Sequence, residues 1–436
     1  MSATESASSE LAAQIERRRR AVAEHWNLGA EAVVIGAGEP VPVPGRGDRS
    51  YPFRAHSEYF YLTDRERPGG VLAYDVADGW VDFVVPTSRE ELLWEGAGPD
   101  APGHGGVPIA ELEGWLAARL GRRIVNLGAP VAMPGAVAAD ALTDELRRGL
   151  NHVRRQKDAV ELERMRAAER ATAAGFAAIV PLIQPGRTER ALQIELEAEF
   201  FRHGADSLAF DTIVAGGPNS AVLHFPPTLR SLSDGELVLI DAGGEVRGYA
   251  SDVTRTYPVS GSLTSEQGAL HDLVHHAGRA AADRCAPGTE FKDLHRTAAL
   301  VIAEGLTDFG LLRGRAEALV ESGAVTLFFP HGIGHMVGLG VRDAGEVLPG
   351  RRPEPGHPNL RADLPLMPGH VVTIEPGIYF VPALLADPDA RARLHGLVNW
   401  ERADAMIGFG GIRIENNVLV TDGGHEVLTS DIPTLG

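Results

Sequence analysis

The sequence is poor in cysteine and in lysine. Its 436 residues contain a single cysteine, Cys285, which excludes an intrachain disulfide and a cysteine-based zinc module. A chain without disulfides is typical of the cytoplasm, and we expect that location. Lysine occurs only at Lys157 and Lys292, whereas arginine is abundant, and we interpret this as genome composition rather than function.

A basic net charge and long apolar runs are absent as well. The formal charge of −18 argues against a nucleic-acid partner, because binding to a phosphate backbone usually needs a basic face. No stretch reaches the roughly 18 apolar residues of a membrane-spanning helix, so no membrane partner is expected. The arginines at 17–20 are not followed by an apolar segment, which favours a polar, partly helical leader over a secretory signal.

The first third of the chain mixes short apolar runs with turns. Three of these runs predict strands, and a periodic pattern at 109–120 predicts an amphipathic helix. Strands that alternate with helices indicate a small α/β domain. The predicted strands are at 32–38, 69–76 and 80–86.

The pattern changes near residue 154, where a second domain is expected to begin. Helical spacing over 156–181 and 185–204 predicts two helices, and strand-like runs with further helices follow. The proline-rich stretch 349–369 predicts a long loop, which is unusual inside a compact domain unless it has a function. We therefore divide the chain into domains at 1–153 and 154–436.

Four carboxylates of the second domain lie where acidic residues are uncommon. An apolar strand ends at Asp241 and the chain returns to Asp252, so a hairpin would bring these two side chains together. Glu375 follows a run of β-branched residues, and Glu415 belongs to an alternating strand. Two simpler alternatives stay open at this point: exposed turn positions for the aspartates, and an ion pair between Glu415 and Arg413.

The stretch FFPHGIGHMVGLGVRD, residues 328–343, contains two histidines four residues apart. A neutral imidazole from His335 with the four carboxylates would form an oxygen-rich donor set that suits Mn²⁺, Co²⁺ or Zn²⁺. Such a set, with four negative charges, suits two divalent ions that share bridging carboxylates. Other patterns are weaker: HDLVHH at 271–276 lacks the glutamate of H-E-x-x-H, and the glycines at 331–340 do not match G-x-G-x-x-G.

The motifs HGIGH, EPGIY and GIRIEN, in this order after the two aspartates, resemble the creatinase and methionine aminopeptidase-like family of pita-bread metallopeptidases. The resemblance covers residues 156–436 and implies two divalent ions. The acid-rich donor set makes Mn²⁺ the expected ion, ahead of Zn²⁺ or Co²⁺. Within the family the chain is similar to the proline-specific peptidases, the prolidase and aminopeptidase P group, which carry a smaller N-terminal α/β domain. The implied fold is α/β (α+β), a creatinase-like domain followed by a pita-bread catalytic domain. The implied metal ligands are Asp241, Asp252, His335, Glu375 and Glu415.

The resemblance also implies roles for the other site residues. His224 and His331 would hold the substrate and stabilise the oxyanion of the tetrahedral intermediate. Glu375, besides binding metal, would move a proton from the attacking water towards the leaving nitrogen. Tyr379 and Arg413 would orient the carboxylates and contact the substrate.

Two arginines are candidates for substrate binding. Arg342 stands where most proline peptidases have a histidine, which puts proton transfer in question, and the alternative is that it points outward. Arg361, fourteen residues before Glu375, has the spacing of an arginine in prolidases, where a guanidinium would bind the free carboxylate after proline. The alternative for Arg361 is a solvated loop residue.

The expected function is metal-dependent hydrolysis of Xaa-Pro bonds in dipeptides, as in prolidase. Aminopeptidase action on longer proline-containing peptides is the alternative, and a creatinase-type hydrolase or a catalytically dead pita-bread binding module is a remote one. The five ligand positions argue against the dead module. Relatives imply a homodimer or homotetramer, and Trp94 in ELLWEG resembles a residue that reaches a neighbouring subunit's site.

Overall fold

The chain forms two compact units in the computed structural model, Met1–Arg154 and Arg155–Gly436. The structure describes residues 3–94, 96, 105–133, 140–352 and 360–435, with side chains from residue 9 onward. None of the helices in these ranges is long and apolar enough to cross a membrane.

Helices and strands alternate in the first unit. The strands form one sheet in the order β4-β3-β2-β1-β5, in which β1 pairs antiparallel with β2 and parallel with β5. Its apolar side, which includes Val34 and Phe83, packs against Leu112 and Leu116 of α4. In chain order the elements are α1 (Ala3–Trp26), β1 (Ala32–Gly36), α2 (Ser57–Thr63), β2 (Val71–Asp75), β3 (Gly79–Val84), α3 (Arg89–Trp94), β4 (Val107–Pro108), α4 (Leu112–Ala117), β5 (Ile124–Gly128) and α5 (Ala141–Arg155), whose last residue belongs to the second unit.

The three strands predicted in this unit are present as β1, β2 and β3. The helix predicted over 109–120 is shorter: a 3₁₀ turn at Ile109–Glu111 is followed by α4, which ends at Ala117. The polar leader lies within α1.

Helices of the second unit pack against its strands. Those in chain order are α6 (Ala159–Ile179), α7 (Glu189–Arg202), α8 (Ser265–Ala282), α9 (Phe291–Asp308), α10 (Ala316–Glu321), α11 (Pro382–Leu385), α12 (Pro388–Arg393) and α13 (Trp400–Ala405). The first of them begins at a capping box, in which Asp158 accepts from the amide of Glu161 while the Glu161 carboxylate accepts from the amide of Asp158.

The strands of this unit form short antiparallel sheets in the described part of the chain, in the orders β10-β9-β6, β11-β8-β7, β12-β15-β16 and β13-β14. Their bounds are β6 (Ser207–Leu208), β7 (Ile213–Gly216), β8 (Leu237–Ala242), β9 (Gly244–Val246), β10 (Tyr249–Ala250), β11 (Val253–Pro258), β12 (Val371–Ile374), β13 (Gly377–Tyr379), β14 (Gly411–Arg413), β15 (Asn416–Thr421) and β16 (Gly424–Val427).

Two apolar cores hold these sheets. Helices α6 and α7 pack on β8 and β11 through Phe176 and Phe200, and helices α8 and α9 pack on β12 and β15 through Val274 and Ile302. The candidate site lies where the strands of the two cores meet, since the amide of Glu415 donates to the carbonyl of Thr254 on β11 at 3.0 Å.

The proline-rich stretch 349–369 contains no helix or named strand in its described residues, as predicted. Its residues 353–359 lie outside the described ranges.

Candidate metal centre

Asp241 and Asp252 are held together by the pairing of β8 with β11. The register places Asp241 opposite Thr254, and Asp252 immediately precedes β11. Gly243 makes this approach possible, because a Cβ there would lie 1.8 Å from the carbonyl oxygen of Ser251. Both aspartates are buried, so the alternative of exposed turn residues is wrong. The predicted return of the chain is present, but it contains the additional strands β9 and β10.

His335 is fixed by exchange of hydrogen bonds with Thr373. The amide of His335 donates to Thr373 Oγ1 at 3.0 Å, and the amide of Thr373 donates to the His335 carbonyl at 2.8 Å. Imidazole Nδ1 lies 3.1 Å from the Met336 carbonyl, which can only accept, so Nδ1 carries the proton. Nε2 therefore presents a lone pair, 3.4 Å from Asp252 Oδ2 and 3.7 Å from Glu375 Oε1.

Gly334 allows the segment of His335 to lie against β12. A Cβ at this glycine would be 2.0 Å from the Thr373 carbonyl oxygen. Gly332 and Gly334 line a cavity, and a side chain at Gly334 is excluded by its contact with the Thr373 backbone.

We expect Gly334→Ala to lower both thermal stability and divalent-ion affinity. The added methyl group cannot fit without moving the backbone that holds His335, and overpacking of this kind costs about 1–3 kcal/mol. Thermal unfolding and calorimetric titration with Mn²⁺ measure the two effects. Gly396→Ala is the matched control, because a Cβ there meets nothing within 4 Å. Equal behaviour of the two variants would show that the close approach of residue 334 to Thr373 is unimportant.

The two glutamates approach the same point from separate sheets. Glu415 follows β14, and its Oε2 accepts from Thr254 Oγ1 at 2.6 Å. Glu375 follows β12, and its amide donates to the Ile333 carbonyl at 2.8 Å. Potential ligand atoms of Asp252, His335 and Glu415 all lie within 4.8 Å of one another.

Arg413 connects the carboxylates to an aromatic residue. Its Nη2 donates to Asp241 Oδ2 at 2.6 Å, its Nη1 to the Tyr379 hydroxyl at 2.8 Å, and its Nε to Thr254 Oγ1 at 3.0 Å. The ion pair considered as an alternative for Glu415 is therefore formed by Asp241 instead. The contacts are those of a residue that orients Asp241 and Tyr379.

The electrostatics of this cluster fit divalent cations. Burial, and then the neighbouring carboxylates, raise the pKa of Asp252 and of Glu415 well above the usual range, and burial also raises the pKa of Glu375. Burial lowers the pKa of His335, which favours the neutral ligand form. Asp241 Oδ1 is buried and has no hydrogen-bond partner among the described residues. Clustered buried carboxylates of this kind are stable when a cation compensates them.

Both ring nitrogens of His331 have hydrogen-bond partners in the structure. Its Nδ1 lies 2.8 Å from the Gly332 carbonyl and its Nε2 lies 3.0 Å from the Tyr379 hydroxyl. Burial, and then Arg413, lower its pKa to about 3, so the ring is neutral with its proton on Nδ1. Because the Gly332 carbonyl accepts the hydrogen bond from Nδ1–H and the Tyr379 hydroxyl donates to Nε2, His331 has no N–H free for an oxyanion in this arrangement. In this arrangement its ring contacts Tyr379.

A cavity with two lobes opens at the cluster. The first lobe, of about 600 Å³, is lined by His331, Leu360, Arg361 and Arg413, and the second, of about 680 Å³, extends to α7. The residues that line both lobes are His224, Asp241, His335, Arg342 and Glu375.

The exposed side chains of the first lobe are available to a ligand. Arg342 lines both lobes, so the alternative that it points away from the site is wrong. In the described part of the chain, neither Arg342 nor Arg361 has a carboxylate partner, and His224 makes no hydrogen bond through its ring. The first lobe therefore combines two guanidinium groups with a free imidazole.

The sequence did not identify the threonines that support the cluster. Thr254 bridges Glu415 and Arg413, and Thr373 bridges His335 and, at 3.4 Å, Glu375. The sequence signal for these threonines was weak, since it consists only of the alternation of Thr254 and Thr256 in a strand next to Asp252. The structure shows that both side chains are fully buried on β11.

Antiparallel strands that bring buried carboxylates and a histidine together beside an open cavity are the architecture of a metal-dependent hydrolase. The profile described as Metallopeptidase family M24 matches residues 163–422, and the profile described as Aminopeptidase P, N-terminal domain, matches residues 15–103. The chain belongs to metallopeptidase family M24. These matches confirm the resemblance and the two-domain α/β (α+β) fold predicted from the sequence.

Several known proteins are similar over almost the whole chain. The Xaa-Pro aminopeptidase of Escherichia coli is 30% identical over 448 residues, which cover 96% of this chain and 95% of the relative. The structure of aminopeptidase PepP from Pseudomonas aeruginosa superposes with a TM-score of 0.77 at 29% identity, covering 97% of this chain and 95% of that one. Aminopeptidase P from E. coli, solved with the inhibitor Pro-Leu, has a TM-score of 0.77 at 27% identity, with 96% and 95% covered.

Proposed function

We propose that the protein is an Xaa-Pro aminopeptidase that uses two divalent metal ions. The observation that carries the proposal is the buried cluster of Asp252, His335 and Glu415, with Asp241 and Glu375 beside it, at the base of an open cavity. The names of the relatives support the aminopeptidase, which was the alternative at the sequence level, better than the dipeptidase.

The proposed metal ligands are Asp241, Asp252, His335, Glu375 and Glu415. Bound divalent ions would supply a water of lowered pKa for attack and would polarise the scissile carbonyl. Arg413 and Thr254 keep Asp241 and Glu415 in the orientation that such binding needs, since each holds one carboxylate oxygen and leaves the other free.

Glu375 is the proposed carrier of the proton from the attacking water to the leaving proline nitrogen. Its carboxylate faces both lobes of the cavity and is less buried than that of Glu415. In the metal-free protein, burial raises its pKa above the usual range. His224, whose ring is free to donate, is the proposed oxyanion donor.

The two arginines of the first lobe favour a second candidate activity, cleavage of Xaa-Pro dipeptides. A free carboxylate directly after proline would find two guanidinium groups without other anionic partners among the described residues. In a longer peptide, the same groups would contact backbone carbonyls or a side chain beyond proline.

Peptides of increasing length test the proposed function. We expect Ala-Pro-Ala to be cleaved with a higher kcat/KM than Ala-Pro, and Ala-Ala-Ala not to be cleaved. Exhaustive chelation is expected to remove the activity and Mn²⁺ to restore it, because the donor set is rich in carboxylates. Full activity after chelation would refute the metal site, and a preference for Ala-Pro would favour the dipeptidase.

Arg361→Ala separates the two activities further. If this guanidinium binds a carboxylate that follows proline, its loss is expected to cost about 1.5–3 kcal/mol, or roughly 10–150-fold in kcat/KM, on Ala-Pro only. Arg352→Ala is the control, since Arg352 is an exposed arginine of the same loop that does not line either lobe. An unchanged rate on Ala-Pro would show that Arg361 binds no carboxylate.

The preferred ion, the assembly and the location remain proposals. Mn²⁺ is the proposed ion, and a homodimer or homotetramer the proposed assembly. The exposed side chains of Leu93 and Trp94, 75% and 77% accessible, support a contact with another copy, and a monomer in light scattering would contradict it. A cytoplasmic location is supported by the buried, unpaired Cys285.

A further inference from the structure

Helix α6 presents a carboxylate, Glu169, on its buried side. The neighbouring core positions Met165, Ala168, Thr172 and Phe176 are all fully buried, and Glu169 is only 4% exposed among them. Among the described residues, no arginine, lysine or histidine lies within ion-pair distance of this carboxylate. Glu169 lines neither lobe of the cavity, so it does not contact substrate.

Both oxygens of Glu169 accept hydrogen bonds. The Ser251 hydroxyl donates to Oε2 at 2.8 Å, and the Asn417 side-chain amide donates to Oε1 at 2.6 Å. The other polar atom of the Asn417 side chain, Oδ1, is buried without a partner among the described residues. The Asn417 side chain is thus held in place by Glu169.

The two partners stand next to proposed metal ligands. Ser251 immediately precedes Asp252, and Asn417 is two residues after Glu415. The ligand atoms of Asp252 and Glu415 lie within 4.8 Å of each other, although they come from the start of β11 and the connection between β14 and β15. The Glu169 carboxylate therefore connects the chain segment that carries Asp252 to the segment that carries Glu415. The separation of these segments sets the distance between the two proposed ligands.

Burial of the Glu169 carboxylate is unfavourable for the stability of the fold. Burial raises the pKa of Glu169 to about 7, although the bonds from Asn417 and Ser251 lower it. A buried carboxylate with only neutral partners costs free energy, whereas an apolar side chain of similar length would fill the same space without that cost. What Glu169 contributes to the structure is therefore its two hydrogen bonds, with Ser251 and with Asn417.

We propose that Glu169 is a positioning residue of the metal centre, which holds Ser251 and Asn417 and thereby fixes the distance between Asp252 and Glu415. The inference rests on the proposed function, because it assumes that these two residues bind divalent ions. Groups that orient metal ligands from behind typically change metal affinity by about 10–100-fold when they are removed.

Calorimetric titration of the metal-free protein with Mn²⁺ tests this role. We expect Glu169→Ala to weaken Mn²⁺ binding by about 10–100-fold and to lower kcat, with KM little changed. The melting temperature of the metal-free variant is expected to fall, because alanine leaves a cavity and two unpaired polar groups, so the titration is made at a temperature where the variant is still folded. Glu163→Ala is the matched control, because Glu163 is an exposed glutamate of the same helix.

Glu169→Gln separates position from charge. A glutamine can accept from the Ser251 hydroxyl and donate to Asn417 Oδ1 once the Asn417 amide rotates, so it keeps both contacts without the charge. We expect this variant to retain most of the wild-type Mn²⁺ affinity. Ser251→Ala, which removes one contact only, is expected to lose part of the affinity, and it keeps the test open if Glu169→Ala does not fold.

Three results would overturn the proposal. Unchanged Mn²⁺ affinity in Glu169→Ala would show that the contacts do not matter for the centre. Equal losses in the alanine and glutamine variants would assign the effect to charge rather than to position. Wild-type protein that binds no Mn²⁺ would overturn the proposed metal site and this inference with it, whereas failure of the Glu169 variants alone leaves the proposed function intact.

Discussion

The Glu415→Ala variant is expected to fold and to lose hydrolysis of Xaa-Pro peptides by at least about 10³-fold, equivalent to about 4 kcal/mol of activation free energy. Glu415 is 2% exposed, and Thr254 occupies one of its oxygens, so the other is directed to the cluster with Asp252 and His335. The position of Glu415 is fixed by its backbone, because its amide donates to the Thr254 carbonyl on β11 at 3.0 Å.

Stability measurements distinguish loss of the metal site from loss of the fold. In the metal-free protein, Glu415 adds a buried carboxylate next to Asp252 and Glu375, and this repulsion is removed in the variant. The melting temperature without metal is therefore expected not to fall. The rise in melting temperature that Mn²⁺ produces in the wild type is expected to disappear, because a ligand stabilises only a state that binds it.

Glu426→Ala is the control for this experiment. Glu426 is an exposed carboxylate on the same sheet, paired with Arg166 at 3.0 Å, and surface pairs of this kind contribute about 0–1 kcal/mol. It is expected to keep both the activity and the Mn²⁺-induced stabilisation. If Glu415→Ala kept them as well, Glu415 would not be a metal ligand.

The sequence predicted the elements of the fold better than their ends. Apolar runs predicted β1, β2, β3 and β8, because each is a short run of mostly apolar residues with turn residues on both sides. The long helices α6 and α7 were predicted from a different pattern, because their apolar positions repeat with helical spacing. Glu415 was placed inside a strand, but it lies between β14 and β15, whereas Glu375 directly follows β12. Local composition does not show where a strand bends around a site.

The candidate site was predicted as a set of residues, not as a network. The motifs and their order along the chain indicated which carboxylates to expect at the site. The hydrogen-bond partners of these carboxylates depend on contacts between distant segments of the chain. An ion pair between Arg413 and Glu415 was one alternative from sequence proximity. The antiparallel register of β13 with β14, and of β11 with β8, places the guanidinium on Asp241 and Tyr379. Glu169 could not be related to the site from sequence, because its partners lie on other elements.

The two histidines beside the cluster were given one shared role, and the structure separates them. His331 is held by Gly332 and Tyr379, in a chain of hydrogen bonds that continues through Arg413 to Asp241. His224 lines both lobes of the cavity, and its ring has no partner among the described residues. Burial, and then Arg413, lower the pKa of His224, so it is a neutral N–H donor rather than a cation.

We therefore expect His224→Ala to reduce kcat by about 10²–10³-fold with a small change in KM. A donor that contacts the oxygen only when negative charge develops stabilises the transition state and not the ground state. His331→Ala is expected to reduce kcat less, because it releases Tyr379 without removing a donor from the cavity. Steady-state kinetics of both variants on Ala-Pro-Ala, at saturating Mn²⁺, give the comparison. A larger kcat loss in His331→Ala would mean that the Nδ1 contact with Gly332 opens during turnover, and the oxyanion would then be assigned to His331.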